Sequence, residues 1–403
     1  MANAHGSAKQ LRYKKETTFG TAAGASGAQL LRRTSSTVKL GKDTYASNEI
    51  NTARQDKDYR HGVRRVSGAI AGELSPGTYE DFFAAAVRQV FAAVSAISSL
   101  SITVAGSGPT YTITRASGSW LTDGVKIGHV RRLTAGSFAA ANLNKNLLIV
   151  GVVALTLTVI PLNGEALTAE GPIASATLSS PGKVTYVPAS AHTADSFTVE
   201  HWFDDIDQSE LYTGCMVDTA DINLPATGMA TVSFGMVGQD RANDTSEYFS
   251  SPTAETSTGI NAAVNGVLVI DSSKYAIITS LTINIANGIA GEPVVGSNTI
   301  PDLSGGKVMV SGSFSAYFPD GTLRDKFDDE TEAKLFTALT TSNAKDADFL
   351  ALAMTRIKLT SDDPDDGDKK IIRSYGFKAL YDTAGGSGAA TEATTLLIQD
   401  SQA

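Results

Sequence analysis

Cysteine occurs once in this chain, at Cys215, which excludes an intrachain disulfide and a cysteine-based metal cluster. Tryptophan occurs twice, at Trp120 and Trp202, and aromatics make up 7% of the residues, so the clustered exposed rings of a sugar platform are scarce. There is no excess of basic charge. The formal net charge is −9, and general attraction to nucleic acid or to an anionic membrane is not expected. An acidic protein can still surround DNA if it has to let DNA pass. The most apolar run, residues 147–162, is shorter than a membrane span and is interrupted by Gly and Thr; its β-branched content predicts one or two buried strands. Residues 1–20 lack the apolar core of a secretory signal, which points to a protein made in a cytoplasm and left or assembled there.

What the sequence has in quantity is Gly, Ala, Ser and Thr, beside ordinary hydrophobic (42%) and charged (19%) fractions. Strand patterns dominate. Residues 63–74 (VRRVSGAIAGEL) alternate, with Val66, Ile70 and Leu74 on one face and Arg65, Ser67 and Glu73 on the other. Residues 307–318 (KVMVSGSFSAYF) repeat the alternation, Val308, Val310, Phe314 and Phe318 against Ser311, Ser313 and Ser315. Each strand ends at a turn, SPGT or PDGT. A helix is predicted after each: residues 79–94 with the stripe Phe82, Phe83, Val87 and Phe91, and residues 323–339 with Leu323, Phe327, Leu335 and Phe336.

The two stretches align without a gap. VSGAIAGELSPGTYEDFF and VSGSFSAYFPDGTLRDKF share Val-Ser-Gly, Gly77-Thr78 against Gly321-Thr322, Asp81 against Asp325 and Phe83 against Phe327. Upstream, the segment 47–50 (SNEI) resembles 297–300 (SNTI). Downstream, hairpins are predicted over 215–240 and 374–400, both ending in Gln-Asp. These matches read as an internal duplication. Between the first helix and its hairpin, short strands separated by turns (SITVAG, YTITRA, HVRRLTA, LLIVGV, ALTLTVI, KVTYV) read as a small all-β module. The polar stretch 241–259 reads as a linker, and GGSG near Gly385 as a flexible hairpin loop. The expected fold is mainly β. It has two duplicated β-sandwich or barrel units, residues 1–99 with 188–242 and residues 243–403, each with a flanking helix, and an insertion at 100–187 on the outer surface.

Catalytic chemistry is missing. The histidines His5, His61, His129, His192 and His201 include no two at a helical metal-ligand spacing. His201 lies among acidic residues, where a strand-edge histidine beside solvated carboxylates is expected. In the acidic run 361–370 (SDDPDDGDKK), Gly367 falls where a calcium loop starting at Asp362 needs a glycine. Pro364 and Arg373 then occupy ligand positions, so a hairpin loop is the better reading. Asn243-Asp244-Thr245 fits a glycosylation acceptor only by chance, and Cys215 reads as a core thiol. No enzyme, metal site or cofactor is expected.

The polar strand faces are short, and neutral or acidic apart from Arg65 and Lys307. They comprise Ser67, Glu73, Asn223, Ser233, Asn284, Ser311, Ser313 and Ser315, together with Asp221, Thr231 and Thr282. One packed and one polar face is ordinary for a β-sandwich. A sharper expectation is that these faces join between subunits into a closed, water-filled barrel, which would remove the exposed strand edges. Two similar units per chain would let three chains form a ring with pseudo-sixfold symmetry. Neutral-to-acidic walls suit a conduit for DNA, because like charge keeps the phosphates from sticking.

Three segments carry a family resemblance: KKETTFGTAA (14–23), LYTGCMVDTADINLPATGMATVSFGMVGQD (211–240) and PVVGSNTIPDLSGGKVMVSGSFSAYFPDGTL (293–323). They resemble the major tail tube proteins of long-tailed, siphovirus-type bacteriophages. The resemblance implies a virion protein that self-assembles in the host cytoplasm into stacked rings, trimeric here because of the duplication. DNA would pass non-specifically through their lumen. It implies a tape measure protein inside, tail terminator and distal tail proteins at the ends, no membrane insertion, and the eight polar-face residues Ser67 to Ser315 as lumen candidates. It also makes residues 40–62 a ring-to-ring loop, with Lys42, Asp43, Tyr45, Asn48, Arg54, Asp56, Asp58 and Arg60 as contact candidates. The alternative from a different class is a surface β-sandwich adhesin binding carbohydrate.

Overall fold

The computed structural model describes residues 3–50, 52–271, 273–274, 278–366 and 368–403. Its strands of four residues or more are β1 Lys9–Lys15, β2 Lys39–Ala46, β3 Tyr59–Glu73, β4 Ile97–Ser107, β5 Thr110–Arg115, β6 Val130–Ala135, β7 Leu147–Val152, β8 Thr156–Pro161, β9 Glu170–Ser179, β10 Lys183–Tyr186, β11 Phe197–Phe203, β12 Gln208–Pro225, β13 Thr231–Gly238, β14 Asp240–Asp244, β15 Gly266–Ile270, β16 Ile278–Ala286, β17 Met309–Tyr317, β18 Ala333–Thr340, β19 Phe349–Pro364, β20 Ile372–Ala379 and β21 Leu397–Asp400. Helix α1 is Glu80–Val87 and α2 is Thr322–Asp328. The mainly β expectation holds.

An antiparallel sheet runs β2–β3–β13–β12–β16–β17–β20–β19. Alternation gives it one apolar face: Val66, Ile70, Phe234, Ile222, Ile283, Val310, Phe314 and Phe377 all enter one core. Only the C-terminal parts of β12 and β19 belong to this sheet. Their N-terminal parts form an outer layer, where β12 pairs with β11 and β14, and β19 pairs with β18 and β21. The core fills the space between the layers. Phe82 of α1 enters it, with its ring 4.8 Å from Tyr13, 5.2 Å from Phe197 and 5.4 Å from Phe234. Each such fully buried ring contributes about 2 kcal/mol.

Both helices are shorter than the sequence pattern suggests. Helix α1 stops at Val87 because Arg88 turns left-handed (φ 61°). Its guanidinium there donates to the carbonyls of Asn287 (2.9 Å) and Gly306 (2.8 Å). These charge-assisted bonds offset the strain of a positive φ. The helix expected over 323–339 ends at Asp328, and Leu335 and Phe336 lie in strand β18. Leu335 and Leu339 face the central core, while Phe336 and Ala338 face a second apolar cluster. A strand buried on both faces shows no polar alternation, so a helical stripe could be read into it.

Strands β4 to β9 close a barrel in the order β7–β8–β5–β4–β9–β6. The pattern missed β9, whose alternation is broken by repeated register shifts against β4. The strand expected last in this module, β10, instead leaves it and pairs with β21. The barrel is joined to the outer layer through a shared core. Trp120, Val125, Ile127 and Leu148 share a continuous core with Phe336, Ala338, Phe349, Ala351 and Ala353 of β18 and β19. The Gln399 side chain also bonds both backbone groups of Val130, at 2.7 and 3.0 Å. The hairpin expected over 215–240 is β12–β13. The one expected over 374–400 does not form: β20 and β21 each pair with β19, and GGSG lies in the loop between them. The linker read at 241–259 begins as strand β14.

Candidate assembly surfaces

The solvent-facing side of the antiparallel sheet gathers all eight polar-face candidates. Cross-strand registers arrange them in rows. One row runs Glu73, Thr231, Asn223, Thr282, Ser313. A second runs Ala71, Ser233, Asp221, Asn284, Ser311, Lys378, Lys358. A third places Ser280 beside Ser315, Ser374 and Asp363. Ser67 lies opposite Lys39. Small hydroxyls bond across the strands: Thr282 to Ser313 at 3.0 Å and Ser315 to Ser374 at 2.9 Å. The face is more mixed in charge than expected. Lys39, Lys358 and Lys378 stand on it with Arg65, balanced by Asp43, Glu73, Asp221 and Asp363. Lys307 lies outside β17.

Among the described residues the sheet has open edges at both ends. Strand β2 has β3 as its ladder partner, and residues 359–364 of β19 have β20. Unpaired backbone donors and acceptors therefore line both sides. Sequence reading missed the charged residues there. Asp363 was assigned to a loop, and the alternation around Lys39 is masked by Gly41 and neighbouring charges.

Residues 40–62 are not one long loop. Their described residues form a hairpin paired as far as Ala46 opposite Tyr59. Lys42, Asp43 and Tyr45 lie in β2 and Arg60 in β3, while Asn48, Arg54, Asp56 and Asp58 occupy the tip. All are exposed except Asp43, which is half-buried. The ion pairs Lys57–Glu49 and Arg60–Asp58, both at 3.1 Å, are exposed, so each contributes little. The segment 293–298 lies beside this hairpin. A groove of about 730 Å³ between them is lined by Tyr45, His61 and Val63 on one side and Pro293, Val294 and Val295 on the other. Ile50 and Val295 are fully exposed at the two tips. The upstream likeness of 47–50 to 297–300 is one of letters only: Ile300 is buried against Val63, Met216 and Leu303, unlike Ile50.

The other singled-out residues are structural. His201 is buried in β11, not at a solvated edge, with Nε2 2.8 Å from Ser36 Oγ. Burial lowers its pKa. Burial raises that of the Cys215 thiol. Within KKETTFGTAA, Glu16 is buried and accepts bonds from Gly20 N–H (3.0 Å), Gly214 N–H (2.9 Å), Ser196 Oγ (2.7 Å) and Thr198 Oγ1 (2.9 Å). Asp362 and Asp363 of the acidic run lie in β19; Gly367, on which the calcium-loop reading turned, lies outside the described residues. Among the described residues no three His, Cys, Asp or Glu side chains are close enough to hold a metal ion, and no helix is long and apolar enough to cross a membrane.

The family described as phage tail tube protein matches residues 6–379. No curated protein matches the chain. The three segments that carried the resemblance lie inside the matched span, and each now has a structural part: the buried Glu16, the β12–β13 hairpin, and the hairpin-flanking segment leading into β17. The family is one of structural tail proteins and not of enzymes. The chain belongs to the phage tail tube protein family, as a structural component of the virion tail.

Proposed function

We propose that three copies of this chain close their polar-faced sheets into one ring, and that stacked rings form the bore through which genomic DNA leaves the virion. The observation that carries this reading is the pair of open edges at the two ends of a sheet whose other face is fully packed. An open edge invites pairing with another chain, and closure satisfies every edge at once. The apolar face already has its cover in the outer layer and α1, which leaves the polar face to line water. Its rows of Ser, Thr and Asn carry as many acidic as basic side chains, so the face offers phosphates no net positive charge and DNA can slide without being held.

In this reading the hairpin 39–60 and the neighbouring segment 293–298 dock onto the next ring, and Ile50 and Val295 supply its apolar contacts. The domains are the units 1–99 with 188–242 and 243–403, and the barrel lies outside the bore. The partners are further copies of the chain, a tape measure protein inside, and terminator and distal tail proteins at the ends. Assembly takes place in the host cytoplasm. Negative-stain electron microscopy, averaged down the particle axis, tests the proposal. Hollow rings or tubes with threefold symmetry and six similar lobes are expected. True sixfold symmetry would put six chains in each ring. Compact particles without a lumen at high concentration would overturn the conduit and favour the adhesin.

A further inference from the structure

The two halves of the polar-faced sheet repeat one another in register as well as in sequence. Ile70 lies opposite Phe234, and Phe234 opposite Ala220; Phe314 lies opposite Tyr375, and Tyr375 opposite Asp362. Each half has a bulge at the same place, between Val217 and Thr219 in β12 and between Leu359 and Ser361 in β19. Each Val-Ser-Gly glycine abuts a neighbouring threonine carbonyl. A Cβ on Gly68 would lie 2.4 Å from the Thr37 oxygen, and one on Gly312 would lie 2.1 Å from the Thr282 oxygen. Segment 35–41 therefore stands to β3 as 280–286 stands to β17, and 361–365 stands to β20 as 219–223 stands to β13.

These halves meet inside the chain at a seam, where β12 pairs with β16. Thr219 faces Ala286, Asp221 faces Asn284 and Asn223 faces Thr282. Resting on the ring reading above, we infer that this internal seam is the template for the joint between copies. The open edge of 35–41 in one copy pairs antiparallel with the open edge of 361–365 in the next. Gly41 then faces Ser361, Lys39 faces Asp363 and Thr37 faces Asp365. In the seam the Asn284 amide donates to the Asp221 carboxylate at 2.5 Å; in the joint, the Lys39 ammonium takes the amide's place against Asp363.

Charge complementarity supports a second copy as the occupant. Lys39 and Asp363 are both exposed, and among the described residues neither has an ion-pair partner within its own chain. Pro364 stands where Ile222 does, and removes at most one donor from the joint.

The test is cross-linking of assembled protein. The double variant Lys39→Cys with Asp363→Cys, oxidised after assembly, should give covalent dimers and a closed covalent trimer, because directly opposed residues bring their Cβ atoms to about 5 Å. Dispersed protein should give none, and Cys215, which is buried, stays out of the reaction. Thr37→Cys with Asp363→Cys, one pair out of register on the same face, should cross-link at least about tenfold less. Charge exchange gives a second measure. Lys39→Glu alone should raise the concentration needed for assembly about tenfold, and adding Asp363→Lys should restore it. The sites are exposed, so a thermal melt checks that each variant folds. Rings with no cross-link at 39/363, or with a stronger one at 37/363, would overturn the register and leave the conduit standing. Failure of the parent protein to form rings would overturn both.

Discussion

The carboxylate of Glu16 accepts a hydrogen bond from the Gly214 backbone N–H at 2.9 Å, tying the end of β1 to the middle of β12. The same side chain satisfies Gly20, Ser196 and Thr198, so its removal leaves several buried donors without an acceptor. Glu16→Ala should cost about 3 kcal/mol, and Glu16→Gln about half of that. Urea unfolding of dispersed protein measures both. A cost within experimental error of zero would mean that water replaces the carboxylate.

Asp400 carries a pH signature. Its Oδ2 accepts from Gly77 N–H at 2.8 Å and its Oδ1 from Gln402 N–H at 2.9 Å. Burial outweighs these bonds and raises the carboxyl from 3.8 to about 6. The folded state then binds this proton more readily than the unfolded one. The group's stabilising contribution is complete below the unfolded value and is lost as pH rises through about 6. Asp400→Asn should therefore gain on the parent between about pH 4 and about pH 7, by up to about 3 kcal/mol. Melting curves of both proteins across that range decide it. A difference independent of pH would refute it.

The barrel should not melt alone. Phe336 joins its core to the outer layer, and Phe336→Ala should cost about 3–4 kcal/mol. At Gly128 (φ 93°), a Cβ would lie 2.4 Å from the Ala353 methyl, so Gly128→Val should loosen the same junction. Calorimetry of the dispersed parent should give one transition for barrel and sheets together. A separate barrel transition would show that the shared core is energetically weak.

Replacing the hairpin tip, residues 47–58, by a two-residue turn keeps the β2–β3 ladder up to Ala46 and Tyr59. The variant should fold with unchanged melting temperature and form rings but not long tubes. Tubes of normal length in micrographs would remove the docking role from Asn48, Arg54, Asp56 and Asp58.

Much of the fold was legible where one face meets water. Residues 66–74 and 310–316 alternate because their other neighbours are solvent, and the lumen candidates followed from the same alternation. Legibility failed where both sides are covered. Strand β18 lies between two cores, and its letters AKLFTALT show no apolar–polar alternation. The end of α1 depends on carbonyls about two hundred residues away, at Asn287 and Gly306. The burial of His201 follows from pairing with β1 and β12, which no local pattern contains. The edge pair Lys39 and Asp363 gains meaning only once the ladder registers are known.

Strands β12 and β19 each cross from the inner sheet to the outer layer without a break. A load applied to the inner wall, such as pressure from a moving polymer, thus passes along covalent backbone into the outer layer instead of shearing one layer over the other. In the proposed ring this makes the wall stiff in circumference. Bending of a tube would then be taken up at the docking hairpins, the bore would keep its width on a curved path, and the tail would flex as a chain of rigid hoops.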